Sequence, residues 1–148
     1  MIEKYELEKD ISVMYVEADS FPLGIKAAFE KLEEVIPGKE ERTFFGISHA
    51  DKSGKIIYKA AAWEKYEGEG ESYGLEIFRI GKGVYVGELI SDYKNNISLI
   101  GNTFQKLLKD PRLDTDSYCL EWYKGCDDVL CLVKLGDRIQ NLNIPNPN

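Results

Sequence analysis

The stretch IKAAFEKLEEVIPG, Ile25 to Gly38, and the stretch ISLIGNTFQKLLKDP, Ile97 to Pro111, read alike. In the first, Ile25, Phe29, Leu32 and Ile36 recur at spacings of three and four. That spacing lines them along one face of a helix. Pro22 opens the helix, with Asp19 or Ser20 as its cap, and Pro37-Gly38 stops it. In the second, Ile97, Ile100, Phe104, Leu107 and Leu108 form the stripe, and Asp110-Pro111 end it. A shift of 75 positions lays Ile25 on Ile100, Phe29 on Phe104, Lys31 on Lys106, Leu32 on Leu107 and Lys59 on Lys134.

The flanking segments repeat in the same order. Residues 5–17 read as a strand before the first helix. Thr43 to Ser48 and Lys55 to Trp63 follow as two strands joined by Asp51-Lys52-Ser53-Gly54, a good hairpin turn. Glu67-Gly68-Glu69-Gly70-Glu71 reads as a polar, flexible linker. Leu75 to Ser91 is strand-like, interrupted at Gly81-Lys82-Gly83. After the second helix come Tyr118 to Tyr123 and Val129 to Leu135, joined by Gly125-Cys126-Asp127-Asp128. The repeats span about residues 3–66 and 74–136, and residues 137–148 read as a loose tail. The expected fold is α+β: duplicated βαββ units in a pseudo-twofold arrangement. An antiparallel sheet would carry two main helices and a central cleft. Neither helix stripe can be buried alone, so the halves must share the sheet.

The chain has 148 residues, which suits one domain. Its 19 basic and 26 acidic side chains leave a net charge of −7. That balance argues against direct nucleic-acid contact, which needs a basic face. Charge is uneven, because residues 1–75 carry net −6 and residues 76–148 net −1. The acidic side chains Glu64, Glu67, Glu69 and Glu71 read as a solvated edge that would attract cations at long range. The N-terminus lacks the pattern of a signal peptide and no apolar stretch reaches membrane-spanning length, so the chain reads as cytoplasmic. Cys119, Cys126 and Cys131 have no metal-binding spacing and read as buried reduced thiols. Gly81-Lys82-Gly83-Val84-Tyr85-Val86-Gly87 approaches a nucleotide-binding pattern but leads into a strand, so it reads as a turn. His49, the only histidine, reads as an exposed loop residue. No cofactor is expected, haem included, and no metal.

The stretch Tyr118-Cys119-Leu120-Glu121-Trp122-Tyr123 carries the chemistry. Alternation puts Cys119, Glu121 and Tyr123 on one face and Tyr118, Leu120 and Trp122 on the other. On periodicity alone, two placements stay open for Glu121: facing solvent, or facing a cleft lined by aromatics. A buried, unpaired carboxylate costs several kcal/mol or takes up a proton. Such a site suits a ligand with a positive charge and an apolar surface, since each aromatic face adds roughly 0.5–2 kcal/mol of cation–π attraction. The candidate walls are Phe45, Tyr58, Trp63, Tyr85 and Tyr123. The small residues Ala60-Ala61-Ala62 beside Trp63 fit either a cavity or close helix packing.

Four segments together resemble the GyrI-like small-molecule-binding domain: Arg42-Thr43-Phe44-Phe45-Gly46-Ile47-Ser48, Gly83-Val84-Tyr85-Val86, the helix after it, and Leu120-Glu121-Trp122-Tyr123. This family includes effector-binding domains of AraC- and MerR-type multidrug-sensing activators, and the resemblance covers roughly residues 3–135. It implies a cleft with Glu121 near its base and Tyr123 beside it. The proline often found shortly before the family's glutamate is absent, the preceding residues being Asp116, Ser117, Tyr118 and Cys119. The first strand begins near residue 5, so the resemblance is to a stand-alone form without a DNA-binding motif. The leading expectation is a binding domain for amphipathic, cationic small molecules. The alternatives are a hydrolase of reactive electrophiles, with Glu121 as base and Tyr123 or Tyr85 as hydrogen-bond donor, and a module that binds a protein such as a topoisomerase or a regulator.

Overall fold

A computed structural model describes residues 1–114 and 116–136; the expected loose tail, residues 137–148, lies outside them. In chain order the elements are β1 (Glu3–Leu7), β2 (Ile11–Glu17), α1 (Ile25–Val35), β3 (Phe44–Ala50), β4 (Ile56–Trp63), α2 (Glu69–Ser72), β5 (Glu76–Ile80), β6 (Gly83–Ile90), α3 (Ser98–Leu107), β7 (Cys119–Lys124) and β8 (Asp128–Lys134). The strands form one antiparallel sheet in the order β1-β6-β8-β7-β3-β4-β2-β5.

The order is symmetric about the β7–β3 pair. Elements from β1 to β4 begin 72 to 75 positions before their counterparts from β5 to β8. Reading outward from the centre, β7-β8-β6-β1 mirrors β3-β4-β2-β5. The α+β duplication expected from the sequence is therefore present, with one addition. Residues 5–17, expected as one strand, are split between β1 and β2, and the two strands part company: β1 pairs with β6 of the second half. In the same way β5 pairs with β2 of the first half. Each half thus lends its leading strand to the other.

The sheet has two different faces. On one, α1 packs on β2 and β4, and α3 packs on β6 and β8. Leu32 and Ile36 meet Met14 and Ala62, while Ala28 meets Tyr58 and Ala60. The small side chains of Ala60 and Ala62 let α1 lie close, so the alanine run serves helix packing. Deleting a side chain such as Leu32 from so tight a seat costs about 2–5 kcal/mol. On the other face, strands distant in the order meet one another. Val13, Ile80, Tyr85, Leu120, Leu130 and Leu132 share one cluster. Phe78 of β5 reaches Tyr118 beside β7, at 5.3 Å between ring centroids. That face is the inside of a curled sheet.

Local signals account for most boundaries. In the β3–β4 hairpin, Asp51 Oδ1 accepts the backbone N–H of Ser53 at 2.8 Å and of Lys55 at 3.0 Å, and Gly54 takes φ 89°. Helix α1 begins later than Pro22 suggests, with Gly24 at its N-cap and no side-chain cap from Asp19 or Ser20. The Gly81-Lys82 segment turns β5 into β6, as expected.

The presumed flexible linker is not one. Glu69 lies in α2, is only 1% exposed, and forms a buried ion pair with Arg42. Arg42 Nη1 donates to Glu69 Oε1 at 2.8 Å and to Trp63 O at 2.9 Å, and Nε donates to Pro37 O at 2.9 Å. One guanidinium thus ties the end of α1, the end of β4 and α2 together. Glu69 also accepts from Lys65 N at 2.8 Å and from the Tyr73 hydroxyl at 3.0 Å. Glu64, also buried, accepts from Ser12 Oγ at 2.9 Å and Gly70 N at 2.8 Å. These two carboxylates work inside the fold and do not form a solvated acidic edge.

The Arg42 hydrogen bonds hold the Glu69 carboxyl down to about 2, from an ordinary 4.5. A depressed carboxyl stabilises the fold above its unfolded pKa, and that contribution is lost as pH falls through the folded value. Arg42→Met strands the Glu69 charge and is expected to cost about 3–5 kcal/mol in urea unfolding at pH 7. Between pH 5 and pH 2 the wild type should lose stability that the Arg42→Met, Glu69→Leu double variant does not lose.

Candidate functional site

Helix α1 covers β2 and β4, and α3 covers β6 and β8, so the central pair β3–β7 lies in the groove between them. At the floor of that groove Glu121 pairs across the ladder with Gly46. Alternation holds here: Cys119, Glu121 and Tyr123 share the helix-side face, and Leu120 and Trp122 turn into the curl. Of the two placements open for Glu121, the solvent-facing one is overturned, because Glu121 is 8% exposed.

Two phenols converge on one carboxylate oxygen. Tyr58 donates to Glu121 Oε1 at 2.8 Å and Tyr123 donates to the same atom at 2.5 Å. Tyr58 comes from β4 and Tyr123 from β7, so each half supplies one donor. Among the described residues nothing hydrogen-bonds Oε2. Burial raises the Glu121 carboxyl above the ordinary range, and the bonds from Tyr123 and Tyr58 oppose that rise. Both phenols are in turn pushed far up, first by burial and then by the Glu121 charge. They remain donors at any ordinary pH.

Gly46 makes this geometry possible. A Cβ at position 46 would lie 2.0 Å from the Tyr58 hydroxyl oxygen and 2.5 Å from Glu121 Oε1. Any side chain there would displace the hydrogen bond itself.

Aromatic rings surround the carboxylate. Phe29 of α1 meets Tyr123 edge-on at 6.0 Å and Tyr58 at 6.3 Å. Phe21 stacks on Tyr58 at 6.0 Å, and Tyr93 lies 5.4 Å from Tyr123. The sequence places Phe29 only on the helix stripe, and neither Phe21 nor Tyr93 carries a signal of its own. The clue in the sequence is the segment before α1, where Phe21 precedes the helix, and its counterpart before α3, where Tyr93 stands.

Of the expected wall residues, Tyr58 and Tyr123 join Glu121. The structure does not bring Phe45, Trp63 or Tyr85 to it. Phe45 and Tyr85 belong to the cluster inside the curl, and Phe45 packs on Trp122 at 5.2 Å. Trp63 pairs with Val13 at the end of β4 and is 41% exposed. Tyr85 instead donates to Gly81 O at 2.6 Å and sits 2.7 Å from the Tyr118 hydroxyl. An opening of about 690 Å³ on that inner face is lined by Tyr5, Leu89, Trp122, Leu130 and Leu132, with Lys124 at its edge. His49 is also placed differently from expectation: it is half-buried within β3, hydrogen-bonded to Lys59. Of the three cysteines, all free, Cys131 is buried, Cys119 partly so, and Cys126 is exposed, against the expectation of three buried thiols. Burial raises the Cys119 thiol to about 11. No helix among the described residues is long and apolar enough to cross a membrane.

No family model and no curated protein matches the chain. Solved structures do match. An integron cassette protein from the mobile metagenome of Vibrio cholerae superposes with a TM-score of 0.67 at 13% identity, covering 90% of this chain and 95% of that one. SAV2435, solved bound to tetraphenylphosphonium, superposes with a TM-score of 0.62 at 9% identity, covering 90% and 94%. A candidate bacterial transcription regulation protein from Staphylococcus aureus MU50 gives 0.57 at 10% identity, covering 90% and 98%. At these identities the likeness establishes a common fold.

Gly46→Ala should destabilise the protein by about 1–3 kcal/mol through forced displacement of Tyr58. Tyr58→Phe removes the clashing oxygen, so Gly46→Ala should cost measurably less on that background. A double-mutant cycle by urea unfolding checks this; strict additivity would mean that the close approach has no energetic consequence.

Proposed function

We propose that this chain is a GyrI-like binding domain for amphipathic organic cations, with Glu121 as counter-charge and Tyr58, Tyr123, Phe29 and Tyr93 as the surrounding aromatic surface. One observation carries the reading: a largely buried carboxylate whose two donors both bind Oε1, while Oε2 has no partner among the described residues and, since no fully buried side-chain oxygen among them is unpartnered, opens to the groove. A structural carboxylate would be expected to have both oxygens satisfied, as Glu64 and Glu69 do. Here one oxygen is left for a charge that the protein does not itself supply.

The energetics fit a ligand with delocalised positive charge. A strongly hydrated ammonium would lose its water on entering an aromatic groove, whereas a weakly hydrated organic cation loses less and gains ring contacts. The structural neighbour solved with tetraphenylphosphonium supports this class of ligand. The relation to regulator effector domains rests on the same resemblance.

Tetraphenylphosphonium titrated by calorimetry should bind the wild type and bind Glu121→Gln at least about tenfold more weakly, the scale of a lost charge-assisted contact. The cation needs the ionised carboxylate, and burial raises that group. Affinity should therefore fall as pH drops through a value above 4.5, by up to about tenfold per pH unit. Without ligand the same burial opposes folding at neutral pH. Glu121→Gln, which removes the buried charge, should therefore make the apo protein more stable than the wild type in urea unfolding at pH 7. Equal affinity of wild type and Glu121→Gln for the cation would remove the proposed role.

A further inference from the structure

Lys59 of β4 faces into the curl, opposite Ile47 of β3 and Glu17 of β2. It is 8% exposed. Its Nζ lies 3.0 Å from His49 Nε2, 5.3 Å from the centroid of the Tyr15 ring and 5.6 Å from that of Phe78. Among the described residues it makes no ion pair, and Glu17 acts on it only from longer range. Burial pushes its amine below the ordinary lysine range. The equivalent position on the ladder of the second half is Leu130, so a buried lysine here is peculiar to the first half. A buried ammonium without a carboxylate is costly, so its retention invites a partner.

An opening of about 460 Å³ is lined by His49, Ala50, Phe78, Asp116, Ser117 and Tyr118, and Lys59 stands behind that lining rather than in it. Two of these, His49 and Phe78, are the neighbours of Lys59 Nζ. The walls divide by chemistry. Phe78 and Tyr118 meet edge-on and give an apolar side. The Tyr118 hydroxyl is engaged by Gly81 N at 3.0 Å and by the Tyr85 hydroxyl at 2.7 Å, so it is held in place. Ser117 Oγ accepts from Lys134 N at 3.1 Å, which leaves its own hydrogen free to donate. Asp116 is exposed at the rim.

We propose that this opening is a second ligand site, for a small aryl or alkyl monocarboxylate whose head group reaches Lys59 and His49 and whose apolar body lies against Phe78 and Tyr118. The ligand brings the counter-charge that the buried lysine lacks, and charge-assisted hydrogen bonds from Lys59 and His49 hold it. Asp116 at the rim disfavours a second negative charge on the ligand. The site lies on the opposite face of the sheet from Glu121 and takes the opposite charge.

The test uses benzoate and hexanoate, with benzyl alcohol as the neutral control, followed by protein NMR titration. Both carboxylates should bind the wild type saturably and shift resonances of His49, Phe78 and Tyr118. Benzyl alcohol should bind about tenfold more weakly or worse. Lys59→Met keeps the stem's bulk without the charge, so it should melt no lower than the wild type and lose at least about tenfold in carboxylate affinity. His49→Phe should weaken both carboxylates as well and serves if Lys59→Met does not fold. Glu121→Gln should leave carboxylate binding unchanged, which separates this site from the cation site. The proposal is overturned if neither carboxylate saturates the wild type, or if Lys59→Met, or His49→Phe in its place, binds them as tightly.

Discussion

The ladder between β3 and β7 joins the two halves at their centre, and one of its four rungs sets Glu121 against Gly46. A carboxylate buried there carries a desolvation cost of several kcal/mol, which two phenols offset in part. The surroundings follow from that rung. Position 46 must lack a side chain, because Tyr58 needs the space. The helices must stand apart over the outer strands so that the rung stays at the bottom of a groove. Sites that bind charge commonly give up stability in this way.

Elsewhere the fold recovers rigidity through satisfied polar groups. Arg42 and Glu69 fasten the first half where α1, β4 and α2 meet. That contact was illegible from the sequence for a definite reason. Glu67 to Glu71 has the composition of a solvated loop, and nothing local reveals a guanidinium 27 positions upstream of Glu69. The helices were legible because their stripes repeat at the helical period, and the duplication because both stripes sit in equivalent registers. The exchange of β1 and β5 was not legible. Which neighbour a strand chooses is a long-range matter, and residues 5–17 are continuous in strand-forming character.

The site was partly legible for related reasons. Period-two alternation within one strand placed Glu121 with Tyr123 and away from Trp122. Alternation does not say which face of one strand joins which face of another. Only register does, and it sends Tyr58 to the helix side while Phe45 and Tyr85 go inside. A ring on a buried helix stripe, such as Phe29, is indistinguishable from core by periodicity, and here it both packs in the core and meets Tyr58 and Tyr123.

The duplication has a consequence for what the centre of the molecule can hold. Gly46 and Glu121 are 75 positions apart, the shift that relates the two repeats, and they are also partners on one rung. The pseudo-dyad therefore passes between them. An assembly of two identical chains would place the same side chain at both positions, either two carboxylates facing each other or none. Joining the repeats covalently lets each copy of the position differ, so a symmetric scaffold can hold a single off-axis charge. Tyr58 and Tyr123 break the symmetry in the same sense, since their counterparts on the ladders are Val129 and Ser48.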